Sequence, residues 1–348
     1  MIDFIDIRSD TVTVPTPEMR KVIANAKVGD DVFGEDPSVN ELEEYVADLL
    51  GKEASLFVAS GVMANQISLH ILTKPADEVL VEGESHIFHY EAGAPALLSG
   101  IQLKRISTEK GIINESDIEK CIHPDNEHYP NVSLVCIENT HNRHGGTIIP
   151  IENIKKLAKV VKKNNLKFHC DGARLWEASA ASGINLKDFA KPFDTVSVCL
   201  SKGLGAPIGS LVASTKENIK SARRFRKVMG GGMRQAGIIA SAGLYAIKNH
   251  FPLLAETHKT AKLFAQKLNE SEYINIDLSR VQTNIVIFKH SEKINSNFFE
   301  NECSKNGVKL IQFGENTFRA VFHFQISKQK ATKAADIIKS VIEKNVTK

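Results

Sequence analysis

The sequence predicts an α/β protein built on a mostly parallel, seven-stranded sheet with one antiparallel strand, followed by a smaller C-terminal α+β domain. Three observations predict it. The strand candidates are continuous apolar runs rather than alternating ones, as expected for strands covered on both faces. Helical patterns lie between them, the order of a parallel sheet. Finally, only nine residues, rich in Gly203, Gly205, Pro207 and Gly209, separate the strand ending at Leu200 from the one beginning at Ser210. A parallel crossover needs about a dozen or more, so this last strand turns back antiparallel.

The elements follow in order. Thr16-Pro17 opens a helix with a capping hydroxyl and a proline at the first helical position. Ser38-Val39-Asn40-Glu41 reads as a capping box; Leu42, Tyr45, Val46, Leu49 and Leu50 then share one helical face, and Gly51 ends it. Strands are expected at 56–59, 79–81, 103–106, 134–137, 167–170, 196–200 and 210–213, with a helix at 151–164 after Pro150. After Gly230-Gly231-Gly232 a long helical region is expected to about residue 269. Strands at 283–288, 308–311 and 318–322 and helices at 296–305 and 328–343 complete the chain. This divides it into residues 1–249, an N-terminal arm and large domain, and residues 250–348, a small domain.

Composition bounds the function. Lys and Arg number 44 against 41 Asp and Glu, a formal charge of +3, which argues against a chain whose business is binding nucleic-acid phosphates. Hydrophobic residues at 42% and charged residues at 24% suit a globular protein rather than a disordered or fibrous one. No run approaches the ~18 apolar residues of a membrane span, and Met1-Ile2-Asp3-Phe4-Ile5-Asp6 carries acids where a secretory signal is basic. Cys121, Cys136, Cys170, Cys199 and Cys303 are odd in number and scattered without a CxxC pair, so reduced thiols and a cytoplasmic location are expected.

Chemistry concentrates where strands end, because ligands of open α/β sheets bind outside the strands' carboxyl ends. Asp171 and Lys202 each follow such an end and are 31 positions apart, about one βαβ unit. A lone lysine there is ordinarily solvated or ion-paired. An apolar strand end before it and glycines after it change that reading, because they desolvate the amine and suit a Schiff-base lysine. An acid one strand over suits the ring nitrogen of a pyridoxal cofactor. Ser60-Gly61, with a helix starting near Val62, offers backbone N–H groups to a phosphate, although the same dipeptide is also a common turn.

Several segments in order resemble the L-threonine aldolases. They are Ile7-Arg8-Ser9-Asp10-Thr11-Val12-Thr13, Gly29-Asp30-Asp31-Val32-Phe33-Gly34-Glu35-Asp36-Pro37, Ser85-His86-Ile87 and Glu138-Asn139-Thr140-His141-Asn142. Asp171-Gly172-Ala173-Arg174, Leu200-Ser201-Lys202-Gly203 and Gly230-Gly231-Gly232-Met233-Arg234-Gln235 extend the match to about residue 245, and it continues more thinly to the end. The resemblance implies the aspartate-aminotransferase fold (fold type I) of pyridoxal 5'-phosphate enzymes. It also implies a homotetramer with active sites at subunit interfaces, and cleavage of L-threonine or L-allo-threonine to glycine and acetaldehyde.

Carried onto this chain, it implies that Lys202 binds the cofactor, Asp171 pairs with the pyridine nitrogen, and His86 stacks on the ring. Ser60, Gly61 and Val62 would hold the phosphate, and Ser9, Arg174 and Arg319 the substrate carboxylate, with Arg174 also near the cofactor. His128 matches a second active-site histidine, while Lys227 and Arg234 match basic residues lent to the neighbouring subunit's site. Val62 stands where the family usually has threonine, Phe33 where tyrosine is frequent, and the segment around Arg319 is the loosest match.

The proton acceptor is open between His86, His128 and an ordered water; an imidazole has the intrinsic proton affinity for the task. His141 and His144 sit in a polar loop with no carboxylate or thiol at ligand spacing, so a structural loop rather than a metal site is expected. Asp30, Asp31, Glu35 and Asp36 lack EF-hand spacing and read as turn and cap chemistry. The same cofactor apparatus would also serve an aminotransferase, a β-eliminating lyase or an amino-acid racemase. The basic run 220–227 raises a non-enzymatic alternative, a module binding an anionic partner, which the weak overall charge disfavours.

Overall fold

A computed structural model describes residues 4–346. All seven expected sheet strands are present: β2 (Ala54–Val58), β3 (Glu78–Glu82), β4 (Gln102–Ile106), β5 (Val132–Glu138), β6 (Lys167–Gly172), β7 (Thr195–Cys199) and β8 (Ser210–Ser214). They are numbered after a two-residue strand in the N-terminal arm, β1 (Ile5–Asp6). The sheet order is β2-β8-β7-β6-β5-β3-β4. β8 is antiparallel to both its neighbours and the other pairs are parallel, as the short glycine-rich loop requires. β2, β3, β7 and β8 are almost wholly buried because helices cover both faces.

The C-terminal part adds β9 (Ile274–Asn275), β10 (Ile285–His290), β11 (Val308–Lys309), β12 (Ile311–Gly314) and β13 (Thr317–Val321). An antiparallel sheet of order β12-β13-β10-β9 forms there, and helices Leu254–Leu268, Ser296–Lys305 and Lys328–Val346 accompany it. β1 pairs in parallel with β11, and Val321 N donates to Ile7 O. The arm is therefore tied to the C-terminal sheet: Ile5 and Ile7 share a hydrophobic cluster with Phe264, Phe288, Phe318 and Ile338. A separate cluster fills the large sheet and its helices. We propose a domain division near residue 250, with the arm packing back onto the small domain.

Two local expectations are corrected and one, the long helical region, is borne out with a break inside it. The helix Pro37–Leu50 is capped by Asp36, whose Oδ1 accepts from Ser38 N and Val39 N at 3.1 Å, so the capping box read at Ser38 is already inside the helix. Proline at the first helical position fixes that earlier start. The long region after the glycine triplet is two helices, Gly237–His250 and Leu254–Leu268, separated by a 3-10 turn containing Pro252. The strand expected at 308–311 is split, β11 serving the arm and β12 the antiparallel sheet.

Candidate active site

Parallel register brings Glu138 beside Asp171, and Asp171 beside Ser197, at the carboxyl ends of β5, β6 and β7. Asp171 is buried; its Oδ2 accepts from Asn65 Nδ2 at 2.8 Å and its Oδ1 from Ala173 N at 3.1 Å. Burial pushes this carboxyl up, but the nearby charges of His86 and Lys202 and the Asn65 hydrogen bond outweigh it and hold Asp171 below the ordinary carboxylate value. It stays ionised, as a partner of a ring N–H must.

Asn65 is the hub of this network. Its Oδ1 accepts from Ser197 Oγ at 2.8 Å and lies 3.2 Å from His169 Nε2. Burial pushes His169 down to about 4, so the ring is neutral at physiological pH and donates from one nitrogen only. With the amide oxygen as acceptor, that nitrogen is Nε2, and Nδ1 accepts from Thr195 Oγ1 at 2.8 Å.

Lys202 follows β7 in the loop to β8. It is half-buried, more open than a fully desolvated amine, while Gly203 and Leu204 beside it are buried. A Cβ at Gly203 would collide with the Glu177 carboxylate, which accounts for glycine there. Lys202 lies near enough to Asp171, His86 and Asp10 for its charge to act on all three. His86 opens the turn His86–His89 after β3; its backbone N donates to Glu138 Oε2 at 2.7 Å, and its Nδ1 lies 3.0 Å from Glu91 Oε1. One ring nitrogen of His86 and one carboxylate oxygen each of Glu91 and Asp171 all fall within 4.8 Å of one another.

The helix Gly61–Leu72 begins where the cradle was expected. Ser60 is its N-cap, with Oγ accepting from Met63 N at 3.2 Å. The amides of Gly61 and Val62 have no acceptor among the described residues and stand at the positive end of a three-turn helix, an arrangement suited to a phosphate. A Cβ at Gly61 would meet Cys199 Sγ at 2.7 Å, so glycine lets the helix close on β7. Val62 can contribute only its N–H.

Across the crevice, Arg174 Nε and Nη2 donate to the two oxygens of Asp10, each at 2.8 Å, with both residues buried. Asn284 Nδ2 also donates to Asp10 Oδ2 at 3.1 Å. Burial raises Asp10, yet the Arg174 guanidinium outweighs it and holds the carboxyl at about 2. Arg319, on β13, donates from Nη1 to Asn142 Oδ1 at 2.8 Å and from Nη2 to Arg8 O at 3.3 Å. Its Nε is buried without a partner, and burial together with the nearby Arg174 charge pushes it down to about 10. Arg174 is thus braced by Asp10 while Arg319 keeps one buried donor unused, an arrangement of guanidinium groups suited to a substrate carboxylate. Ser9 is half-buried beside them, its Oγ accepting from Thr11 N and Thr11 Oγ1 at 3.2 and 2.8 Å.

Other expected residues stand apart within one chain. His128 is exposed in the loop before β5, at the end of the sheet opposite Asp171, about 20 Å away along the strand. Lys227 and Arg234 are exposed beside Gly232, and Arg234 Nη1 donates to Asp30 at 3.0 Å. The basic run is partly neutralised internally: Arg226 pairs with buried Asp31 at 2.6 Å and Arg223 with Glu43 at 2.6 Å, which weakens the anionic-module alternative. The His141–His144 pair does meet a carboxylate, contrary to expectation. Glu82 of β3 accepts from His141 Nε2 at 2.8 Å and lies 3.5 Å from His144 Nε2. Asn65, Glu91, Asp10 and Asn142 are site residues to which the sequence reading gave no role. The available signals were short-range: Asn65 lies one helical turn after Gly61, Glu91 shares the loop of His86, and Asp10 follows Ser9.

Residues 6–291 match the family model described as Beta-eliminating lyase. The chain is 39% identical over 329 residues to low-specificity L-threonine aldolase 1 of Arabidopsis thaliana, covering 93% of this chain and 92% of that protein. It is 37% identical over 332 residues to the low specificity L-threonine aldolase of Escherichia coli, covering 95% and 97%. The solved threonine aldolase of Leishmania major superposes with a TM-score of 0.82 at 19% identity, over 97% of this chain and 99% of that one, which supports the fold. Matched along nearly its whole length by the family model and by these relatives, the chain belongs to the β-eliminating lyase family, among the low-specificity L-threonine aldolases.

Proposed function

We propose that the chain cleaves L-threonine and L-allo-threonine to glycine and acetaldehyde with pyridoxal 5'-phosphate as cofactor. One observation supports the reading beyond family membership: Arg319 Nε is buried without a partner near the Asp10-braced Arg174, and the two guanidinium groups would take a substrate carboxylate beside Lys202 and Asp171. The residues also fit the cofactor. The free amides of Gly61 and Val62 and the Ser60 cap would take its phosphate, ionised Asp171 its ring nitrogen, His86 its face and Lys202 its aldehyde.

When bound, pyridoxal phosphate supplies an electrophilic carbon and a protonated ring that accepts an electron pair. The protein does the rest. Asp171 keeps the ring-nitrogen proton in place, and Asn65 keeps Asp171 in place. Arg174 and Arg319 hold the substrate carboxylate and so decide which α-carbon bond is aligned for cleavage. A base accepts the β-hydroxyl proton as that oxygen becomes the aldehyde of the departing acetaldehyde, and a proton returns to the α-carbon of glycine.

We further infer a cytoplasmic homotetramer in which His128, Lys227 and Arg234 serve a neighbouring subunit's site. Exposed Phe33, Leu97 and Val228 offer apolar surface for such contacts, and the five cysteines are all unpaired. No helix among the described residues is long and apolar enough to cross a membrane. Incubation with L-threonine should yield acetaldehyde and equimolar glycine. A 2-oxo acid in place of acetaldehyde, or racemised threonine without cleavage, would refute the reading.

A further inference from the structure

Glu91 is a buried acid at the centre of the crevice to which the proposed reaction gives no task. Three donors converge on its two oxygens: Asn65 Nδ2 at 2.8 Å and His86 Nδ1 at 3.0 Å on Oε1, and Gln66 Nε2 on Oε2. Its side chain is fully buried, whereas the His86 ring is 27% exposed. An imidazole that donates from Nδ1 to a carboxylate holds the tautomer whose Nε2 lone pair is free. His86 Nε2 has no hydrogen-bond partner among the described residues.

Asn65 ties this pair to the cofactor end. Its two amide hydrogens go to Glu91 and Asp171, and its oxygen accepts from Ser197 and faces His169. Rotating the amide by half a turn would set its oxygen against two carboxylates, so the orientation is fixed. One side chain thereby sets the spacing between Asp171 and the acid that faces His86.

We propose that Glu91 is a positioning residue that makes His86 the acceptor of the β-hydroxyl proton, and that Asn65 locks Glu91 and Asp171 in register. The proposal rests on the aldolase reading for the identity of the proton. In the step, the substrate O–H bond breaks and its proton passes to His86 Nε2. The oxygen's electron pair forms the carbonyl of acetaldehyde as the Cα–Cβ bond breaks, that bond's pair stays with the α-carbon side, and His86 later releases the proton to solvent. Glu91 keeps its bond to Nδ1 throughout and offsets the positive charge that the ring gains.

The groups facing His86 from all sides are Glu91 on its own loop, Glu138 at the end of β5, Asp171 at the end of β6, Lys202 beyond β7 and the Tyr90 ring at 5.5 Å. Burial lowers the proton affinity of His86, but Glu91, Asp171 and Glu138 together raise it above the ordinary imidazole value, against Lys202.

Glu91→Gln keeps the size of the side chain and an acceptor oxygen while removing the charge. Two readouts test the idea on the full chain. In the cofactor-free protein, the His86 Cε1–H resonance, assigned by its loss in His86→Asn, should titrate above 6.5 in the wild type and at least one pH unit lower, roughly, in Glu91→Gln. In the holoenzyme, Glu91→Gln should shift the low-pH limb of kcat/KM for threonine downward and lower kcat by roughly tenfold or more with little change in KM, and Glu91→Asp should recover part of kcat. A wild-type His86 that titrates at or below 6.5, or a titration unmoved in Glu91→Gln, overturns the Glu91–His86 link whether or not the variant folds well. A resonance that moves while the kinetic limb does not removes His86 as the acceptor. A wild-type chain without threonine cleavage refutes the aldolase reading instead, and the resonance alone then decides the link.

Discussion

At the carboxyl ends of β5, β6 and β7, charged side chains are buried and paired within the chain: Asp171 with Asn65, Glu91 with His86, Asp10 with Arg174. At the opposite end of the sheet and on the helix Lys216–Val228, His128 and Lys227 stand in solvent. The difference follows from the cost of burying charge. A buried ion must be matched by partners that are always there, so a single chain completes the inner wall of the crevice. The outer residues carry no such debt and can await a second surface. Substitutions inside should therefore act on chemistry or folding at any protein concentration, and substitutions outside should act only through assembly.

The largest effect is expected for Lys202→Ala, which should fold but lose both turnover and the cofactor's Schiff-base absorbance; full activity would break the division at its centre. Asp10→Ala should be next. It strands the buried Arg174 guanidinium, costing about 3–5 kcal/mol of stability, read by denaturant melts, and raises KM for threonine. Because the folded Asp10 titrates at about 2, below its ordinary 3.8, its contribution is full above about pH 4 and fades as the pH falls toward 2.

His169 sharpens the comparison by pH. Its folded value is depressed to about 4 from 6.5, so the neutral ring contributes stability that is full above 6.5 and drains away as the pH falls through 4. The loss should reach roughly 3 kcal/mol. Melting temperature should decline over that window in the wild type and less steeply in His169→Gln. An equal slope in both would show that the inner wall does not depend on the neutral ring. The smallest effect is expected for Lys227→Ala: no change in melting temperature, and a KM several-fold higher, roughly, in the assembled protein only. A KM unchanged by Lys227→Ala would confine the site to one chain.

How much of this was legible depends on range. The seven strands announce themselves as continuous apolar runs, and the antiparallel β8 is dictated by a loop too short for a crossover, both local signals. Local signals also failed where two competed. Ser38 looked like a cap, but Asp36 before Pro37 takes that role, and Pro252 breaks a helical region whose hydrophobic pattern runs on. In the site, Lys202, Asp171 and Ser60 stand at strand or helix ends and can be read directly. Asn65 and Asp10 cannot, because their partners Asp171 and Arg174 lie 106 and 164 positions away and only the folded sheet joins them. Glu82 was missed beside His141 for the same reason, at a separation of 59.

Whether Lys202 opposite Asp171 is the seat of the chemistry can be asked in one measurement. The cofactor-loaded chain is reduced with borohydride, digested and mapped by mass. The pyridoxyl adduct is expected on the peptide containing Ser201-Lys202-Gly203, and its formation should be blocked in Lys202→Ala. An adduct on another lysine, or a reduced chain carrying none, would contradict the account.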